Sequence, residues 1–540
     1  MTATVAPYRS AGPSGRDGFA QLLRAEWTKF RTVRGWVIGA GLAALLTLGL
    51  GLFAAFGGSS SCVSESSSGN GQARSGAACA PRLTTGPGGG PVSDYFYFVH
   101  QPLAGNGSIA VRVTSLTGQL PDLAVQPSGA GQQFPMHAGL MSWAKAGLII
   151  KDGTTEGSAY AAMMVTGEHG VRLQADYTQD TPGLPGAVSA ASARWLRLTR
   201  SGDTITGYDS ADGTHWTQVG SVRLAGLPAT VQVGLFTASP VDQVITEGFG
   251  GGNNGNEAAS QATAVFDHLG LAGSWTAGRW SGGYVGGGAY APGIGSYHQA
   301  GGQFTVTGSG DIAPVPSGAS APGGPSITLT NMLIGTFAGL IAVIIVATLF
   351  ITAEYRRGLI RVTLAASPRR GRVLAAKAVV IGSAGFVAGL VAAAAAVVVG
   401  EQIARSRQYV FPVSWATELR IVAGTAALIA VVAVLALAVG AMLRRSAAAA
   451  TTVIVAIILP YILAVASILP AGAGDWLLRL TPAAGFAVQQ AATAYPQVNA
   501  LYSPNGGYYP LAPWAGFAVL CGFAALAMTG AVILLRRRDA

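Results

Sequence analysis

The stretch Glu354–Lys377, EYRRGLIRVTLAASPRRGRVLAAK, places seven cations between two long uncharged runs. The runs at residues 327–353 and 378–400 both exceed the ~20 residues that a helix needs to cross the hydrocarbon of a bilayer. Short loops rich in Arg and Lys lie on the cytoplasmic side of membrane proteins. We therefore predict two membrane spans joined by a cytoplasmic loop, residues 354–377.

Further apolar runs extend this pattern along the chain. They occupy residues 36–57, 421–443, 447–469 and 513–535. The first run is longer than the apolar core of a signal peptide and follows a basic leader, which favours a retained span. Basic residues again lie on one side of the spans: Arg444, Arg445, Arg536, Arg537 and Arg538. The sequence predicts an α-helical polytopic membrane domain with six transmembrane helices and both termini in the cytoplasm.

A long polar insertion separates the first two spans. Residues 58–91 are rich in Ser and Gly and predict an extracytoplasmic linker. Residues 92–313 contain short alternating runs, such as IAVRV at 109–113, separated by Gly-rich turns. This pattern predicts an inserted all-β sandwich ectodomain. Residues 314–326 form a Pro/Gly-rich linker that returns the chain to the membrane.

The charge distribution argues for membrane topology and against nucleic acid as a partner. The formal net charge is +10, yet residues 58–326 carry 11 basic and 16 acidic residues, which leaves 22 basic and 7 acidic in the rest of the chain. A nucleic-acid-binding domain would concentrate its cations in a soluble segment. Here the excess lies beside the spans, as expected for a multi-pass protein of a bacterial plasma membrane.

The N-terminal region predicts a helix on the inner membrane surface. Residues 1–16 are polar and predict disorder, whereas residues 17–35 place their apolar side chains on one arc of a helical wheel. Those side chains are Phe19, Leu22, Leu23, Trp27, Phe30 and Val33. Glu26 projects within this arc, where a desolvated carboxylate is costly. Either a partner cation neutralises it, or it reaches water at the edge of the arc.

Two further segments leave alternatives open. Residues 475–500 are too polar to cross the membrane but carry apolar residues at helical spacing. They predict a short extracytoplasmic helix, which either dips into the outer leaflet or lies on the protein surface. Cys62 and Cys79 lie on the same side of the membrane in this topology, so they either form a disulfide or remain two free thiols.

Motifs for catalysis and for ATP binding are missing from the sequence. The GxxxxGK[ST] phosphate loop, HExxH and GxSxG do not occur, and the cysteines form no CxxC pair. The uncharged runs hold no ionisable residue that would mark an ion or proton relay. We therefore expect a protein that is not an enzyme, with no cofactor in this chain, and any transport energy must come from elsewhere.

The ectodomain resembles a known class of β-sandwich. The phrases FYFVHQPLAGNGSIAVRVTSL (96–116), WLRLTRSGDTITGYDSADGTHWTQVG (195–220) and ATAVFDHLGL (262–271) are similar to concanavalin A-like, laminin G-like lectin domains. The resemblance implies the sandwich fold and makes a glycan or cell-surface ligand one candidate partner. It does not identify a sugar, because such domains also serve as adhesion or spacing modules.

The two cytoplasmic segments resemble another family. LLRAEWTKFRTVR (22–34) and TAEYRRGLIRVTLAASPRRGRVLAAK (352–377), with six spans, are similar to permease subunits of type-2 ATP-binding-cassette exporters. The resemblance implies that a separate ATPase subunit binds ATP and Mg²⁺. It also implies that two copies of the permease assemble in membrane lipid.

Residue roles also follow from this resemblance. Segment 354–366 would be a coupling helix seated in a groove of the ATPase, and Glu26 would pair with an arginine of the same loop. The expected ATPase-coupling residues are Glu354, Tyr355, Arg356, Arg357, Arg361, Arg369 and Arg370. The expected residues of the interface helix are Arg24, Glu26, Trp27 and Lys29.

Two other readings of the sequence compete with an exporter of amphiphilic, drug-like or lipid-linked molecules. The chain could be a membrane-anchored glycan-binding or adhesion protein that displays the sandwich, although one span suffices for display. It could also be a sensor that signals through the basic loop. A receiver domain for such a signal is not recognisable in the sequence.

The predicted topology can be checked with reporter fusions. Alkaline phosphatase inserted after Asn70 should be active, because the enzyme matures only outside the cytoplasm, and the same enzyme fused after Arg538 should be inactive. Green fluorescent protein at the two positions should give the reverse result. Phosphatase activity at the C-terminus would contradict an even number of spans with an inner N-terminus.

Overall fold

The computed structural model describes residues 18–56, 83–125, 134–247, 253–275, 278–286, 295–317, 326–360, 363, 369–465, 469, 471–498, 500 and 502–537. Among these residues, six helices are long and apolar enough to cross a membrane, and a large β domain lies between the first two of them. The expectation of six apolar helices and a β domain is confirmed. Cys62, Cys79, Arg361 and residues 1–16 lie outside the described residues.

The helices are α1 (Phe19–Thr32), α2 (Arg34–Phe56), α3 (Leu329–Met332), α4 (Thr336–Arg356), α5 (Arg370–Ala404), α6 (Trp415–Leu443), α7 (Ser446–Val465), α8 (Ala471–Leu480) and α9 (Pro513–Arg537). Two short 3-10 helices lie at Pro482–Gln489 and Pro504–Gly506. The six membrane-length helices are α2, α4, α5, α6, α7 and α9.

The strands of the β domain are β1 (Val92–Pro121), β2 (Met136–Ala138), β3 (Lys145–Lys151), β4 (Tyr160–Thr166), β5 (Val171–Ala175), β6 (Gln179–Pro182), β7 (Arg194–Ser201), β8 (Thr204–Ser210), β9 (Thr217–Arg223), β10 (Thr230–Ala238), β11 (Asp242–Glu247), β12 (Asn253–Ala258), β13 (Gln261–Trp275), β14 (Ser281–Val285), β15 (Ser296–Ala300), β16 (Gln303–Gly308) and β17 (Asp311–Pro314). Two short strands, β18 (Ser326–Ile327) and β19 (Tyr409–Val410), pair beside the helices.

Helices α4 and α6 form the centre of the bundle. In each, 61% of the most apolar segment is buried, against 17% in α2 and α7, which therefore lie at the periphery. Small residues allow the close approach, because a Cβ at Gly339 of α4 would lie 2.1 Å from the Thr47 hydroxyl of α2. The core consists mainly of aliphatic side chains from these helices, including Leu340, Ile344, Leu428, Val432 and Leu437.

The two ends of the bundle differ in charge. Seven arginines at helix starts and ends gather at one end, which we call the arginine-rich end: Arg34, Arg356, Arg370, Arg444, Arg445, Arg536 and Arg537. By contrast, Arg405 at the end of α5 lies at the opposite end. At this end Arg370 donates a 2.5 Å hydrogen bond to the Leu535 carbonyl, and the Arg444 guanidinium lies 5.0 Å from the centre of the Tyr355 ring. The β domain is attached at the opposite end.

The second and third spans differ from the predicted bounds. Residues 327–353 do not form one helix, because Thr328 and Asn331 form a capping box that starts α3, and α4 begins only at Thr336. Helix α5 begins at Arg370, well before residue 378, and includes Lys377. Glu354 and Lys377 therefore lie within membrane-length helices, just beyond the predicted ends of the spans. Glu354 and Lys377 can lie inside helices because each is paired with an opposite charge on a neighbouring helix.

Residues 475–500 also differ from the predicted single short helix, which was to lie either in the outer leaflet or on the protein surface. Helix α8 ends at Leu480, and the 3-10 helix Pro482–Gln489 that follows is buried throughout. Gln489 donates hydrogen bonds to Thr336 and Thr425 inside the bundle. Because these bonds replace the hydrogen bonds that the Gln489 amide would make with water, residues 482–489 can be buried inside the bundle.

The β domain has two layers joined by one long strand. Fifteen strands form a single hydrogen-bonded sheet. The first part of β1 pairs with β10 and β14, and the later part pairs with β7 and β13. Strands β3, β4 and β5 extend the first layer and pack against β7, β8 and β9 of the second. The core between the layers includes Leu148, Ile150, Met163, Leu196, Leu198 and Ile205.

Two buried lysines fasten both ends of this domain to β3. Lys151 Nζ lies 2.8 Å from Asp94 Oδ2 in β1, and Lys145 Nζ lies 2.6 Å from Asp311 Oδ1 in β17. Both lysine side chains are fully buried. Burial lowers the pKa of Lys151, and the neighbouring Asp94 carboxylate opposes this effect.

The Asp94–Lys151 pair should matter for the stability of the β domain. Asp94→Asn removes the countercharge of a fully buried ammonium, a change that costs about 3–5 kcal/mol in comparable pairs. We expect the unfolding midpoint of the full-length protein in detergent, followed by tryptophan fluorescence, to fall by several degrees. The exposed Glu168→Gln is the matched control and should leave it unchanged. Equal midpoints for the two variants would contradict the role of this pair.

Candidate functional site: a buried charge cluster at the arginine-rich end

Four charged side chains from three helices meet at the arginine-rich end of the bundle. Glu26 and Lys29 lie three residues apart on α1, and this spacing places them on one helix face. Glu354 comes from the last turn of α4, and Lys377 comes from α5. We call these four residues the charge cluster.

Lys377 lies at the centre of the charge cluster. Its Nζ atom lies 2.7 Å from Glu26 Oε2 and 2.6 Å from Glu354 Oε1. Lys29 Nζ makes a second bridge between the same carboxylates, 2.9 Å from Glu26 Oε1 and 3.1 Å from Glu354 Oε1. Two ammonium groups thus join two carboxylates in a network without net charge.

The charge cluster is buried except for one edge. The side chains of Glu26, Glu354 and Lys377 are 2%, 7% and 1% exposed, whereas that of Lys29 is 39% exposed. Burial disfavours the charged form of Lys29, but its hydrogen bonds and charge attraction with Glu26 and Glu354 outweigh burial and raise the pKa of Lys29 above its usual value. Removing one member would leave a buried charge without its countercharge.

Aromatic rings shield the inner side of the cluster. The Lys377 ammonium lies 5.0 Å from the centre of the Phe350 ring, a distance suited to a cation–π contact. Phe30 of α1 and Trp36 of α2 pack edge-on against Phe350, with centroids 6.1 Å and 4.8 Å away. These rings exclude water, which strengthens the electrostatic attraction within the cluster.

The charge cluster is the main attachment of α1 to the bundle. Glu26 and Phe30 are the buried residues of that helix, and both contact α4 or α5 residues described above. Leu22 of α1 also packs with Tyr355, Ile360 and Val373 beside the basic loop. A displacement of α1 or of this loop would therefore act directly on the ends of α4 and α5.

The structure separates the expected coupling residues into two groups. Arg356, Arg357 and Arg369 are exposed, and Arg370 is half-buried against α9. Glu354 is 5% exposed and bonded to both lysines. The Glu354 carboxylate is thus already paired inside the protein, and its expected contact with a partner stays a prediction. Tyr355 is half-buried against Arg444.

The expected partner of Glu26 on the interface helix also differs from the observed one. Arg24 and Trp27 are exposed, and Glu26 pairs with Lys29 and Lys377 instead of with an arginine of the loop. A lysine fits this position because its single ammonium on a flexible stem can lie between two carboxylates, whereas a guanidinium fork needs a wider site.

The sequence pattern places Lys377 only in a basic loop, although the rarity of lysine in this chain is a further signal. The chain has four lysines, at positions 29, 145, 151 and 377, among 33 Lys and Arg residues. All four make ion pairs with carboxylates in the structure, and three of them are buried. Most basic residues of this chain are arginines. Each of its four lysines forms an ion pair with a carboxylate of the same chain.

A family model described as ABC-2 family transporter protein matches residues 141–540, which is more than half of the chain. None of the curated proteins compared with the chain matches it.

Some solved structures show weak likeness to the chain. A functionally unknown protein from Saccharomyces cerevisiae has 14% identity and a TM-score of 0.20, over 34% of this chain and 76% of that one. Scytalido-glutamic peptidase has 7% identity and a TM-score of 0.23, over 41% and 100%. A GH43 protein from Bacillus licheniformis has 15% identity and a TM-score of 0.16, over 28% and 26%. At these TM-scores the likenesses carry no conclusion about fold or activity.

A double-mutant cycle tests the charge cluster. Lys377→Met leaves Lys29 as the one cation beside Glu26 and Glu354, and should destabilise the protein by about 3–5 kcal/mol. The double variant Lys377→Met, Glu354→Gln should recover at least half of this lost stability, because one unpaired carboxylate is then also removed. The readout is the unfolding midpoint in detergent. The exposed Arg372→Met on the same helix is the control. Additive effects of the two substitutions would contradict direct pairing.

Proposed function

This chain belongs to the ABC-2 transporter family, and we propose that it is the permease subunit of an ATP-driven exporter. The subunit moves an amphiphilic, drug-like or lipid-linked molecule out of the cytoplasm or the inner leaflet. A separate ATPase subunit binds ATP and Mg²⁺ and supplies the energy. The observation that carries this proposal is the charge cluster, which fastens the amphipathic helix α1 to the ends of α4 and α5.

The sidedness of the proposed permease follows from its charges. Arginines favour the cytoplasmic side of a membrane protein, so the arginine-rich end faces the cytoplasm. Both termini then lie inside, and the β domain lies outside the plasma membrane of a bacterium. Exposed tryptophans at the other end, Trp415, Trp476 and Trp514, mark the level of the opposite membrane–water interface, because Trp is enriched at both interfaces.

The exposed arginines next to the charge cluster supply a docking surface for the ATPase. Arg356, Arg357 and Arg369 would form charge-assisted hydrogen bonds with carboxylates of the partner. Ile360 and Val373 connect this surface to Leu22 of α1. Closure of the ATPase would then push the loop, and the charge cluster would transmit the displacement to α4 and α5 as one unit, because separating its members exposes unpaired charges.

A second copy of the chain completes the transport path in this proposal. The gap between α2, α4, α5 and α6, lined by Ala43, Thr47, Gly339 and Gly389, has no room for a water molecule. These four helices of one subunit therefore pack closely at this point. Two-fold assemblies are the commonest arrangement of homo-oligomers, and a path between two subunits would need no opening of either bundle.

Glycan binding by the β domain is a second candidate role. On the second layer, Arg197 lies 4.1 Å from the centre of the Trp216 ring and 4.8 Å from that of Tyr208. Half-exposed aromatic rings fixed by an arginine suit stacking against a sugar ring. This role would accompany transport, since a protein that only displays a lectin-like domain or senses a ligand does not need six spans.

Co-purification tests the exporter proposal. The tagged protein, extracted from its native membrane in mild detergent, should retain an ATPase subunit that mass spectrometry identifies. Charge reversal of Arg356 and Arg357 to Glu should reduce the recovered ATPase about tenfold or more, as expected for the loss of interfacial charge contacts worth over 1.4 kcal/mol. Arg537→Glu, an exposed charge at the same end, is the matched control.

Two outcomes would count against the exporter proposal. If an ATPase is never recovered with the wild-type protein in several mild detergents, the energy source is missing. If Arg537→Glu removes the ATPase as fully as the double reversal does, the contact depends on overall charge and not on the loop beside the charge cluster.

A further inference from the structure

A cavity of about 520 Å³ lies between the β domain's first linker and the helix bundle. It is bordered by Leu83, by the end of α5, by β19 and by the first turn of α6. Its size falls within the range of about 300–1,000 Å³ that is usual for small-molecule sites. Its lining residues are Leu83, Glu401, Arg405, Gln408, Tyr409, Val410, Phe411, Pro412, Val413 and Glu418.

The cavity lies beside a lipid-facing part of the bundle. Trp415 and Leu419, on the first turns of α6, are 77% and 60% exposed. A large exposed Trp at the start of a membrane-length helix marks the level of the lipid headgroups. A molecule in the outer leaflet would therefore reach the cavity without crossing the aqueous phase.

The floor of the cavity is held in place by backbone contacts. Strand β19 pairs with β18, and the Phe411 amide donates to the Ile327 carbonyl at 3.1 Å. Gln408, which is 5% exposed, donates a 3.0 Å hydrogen bond to the Ala55 carbonyl at the end of α2. The cavity is thus formed before any ligand arrives, which reduces the entropy cost of binding.

The charged groups of the lining favour a cation. Glu401 and Arg405 neutralise each other, with Oε2 and the guanidinium nitrogen 2.6 Å apart. Among the described residues, Glu418 makes no ion pair and no side-chain hydrogen bond, so it leaves the lining with one negative charge. Val410, Phe411 and Val413 contribute apolar and aromatic side chains to the same lining. A cationic head near Glu418 and an apolar body against these side chains would satisfy both features.

We propose that this cavity binds a lipophilic monovalent cation, with Glu418 opposite its charge. One part of the inference rests on the exporter proposal. In an exporter, the cargo class would be cationic amphiphiles, and the cavity would be the site from which they are released. The binding itself needs neither ATP nor a partner subunit.

Two ions of the same shape and opposite charge test the proposal. Radiolabelled tetraphenylphosphonium should bind saturably to the purified full-length protein in detergent, and tetraphenylborate should bind at least about tenfold more weakly, because only the cation is attracted to Glu418. Glu418→Gln should remove most of this preference. Glu168→Gln, an exposed carboxylate of the β domain, is the control and should keep it.

A second variant guards against indirect effects of the charge change. Pro412 is exposed at the cavity wall, so Pro412→Trp should fill the cavity without disturbing a buried core and should weaken the binding of both ions. Equal saturable binding of the two ions, or full cation preference in Glu418→Gln, would overturn the site. Saturable phosphonium binding together with failure to recover an ATPase would overturn the exporter but keep the site.

Discussion

The position of Lys377 between Glu26 and Glu354 is the interaction on which the membrane part of this protein depends. One ammonium with contacts of 2.7 Å and 2.6 Å joins the amphipathic helix α1 to α4 and α5. A buried network of this kind adds little net stability over apolar packing, but it is costly to break. It therefore favours a rigid connection between α1, α4 and α5.

The β domain is fastened by the same chemistry. Lys151 and Lys145 hold its first and last strands to β3 through Asp94 and Asp311. The chain is basic near the membrane and acidic in the insertion. In both parts, the buried charges are paired with opposite charges, so that neither part buries a net charge at these positions. Between the two parts, the small strand pair β18–β19 and Gln408 form the floor of the cavity beside the first turn of α6.

The sequence could predict much of the fold but less of the candidate site. Long apolar runs and alternating short strands indicated six helices and a β domain because both patterns are local. The helix ends differ from the predicted span ends where a charge lies inside a helix, as for Glu354 and Lys377. A hydropathy pattern places the end of a span at each charged residue. The buried 3-10 helix at Pro482–Gln489 also escaped prediction, because its polar Gln489 is satisfied by Thr336 and Thr425 from distant parts of the chain.

The sequence by itself determined the class of the protein, the number of apolar helices, the insertion and the gathering of arginines at alternate helix ends, since each is a property of consecutive residues. Only the tertiary structure decided which charges pair. Glu26 and Lys377 are 351 residues apart, and nothing local distinguishes Lys377 from the arginines beside it as the partner. That choice depends on three helices packing around one ammonium, whose position is set by residues far apart in the sequence.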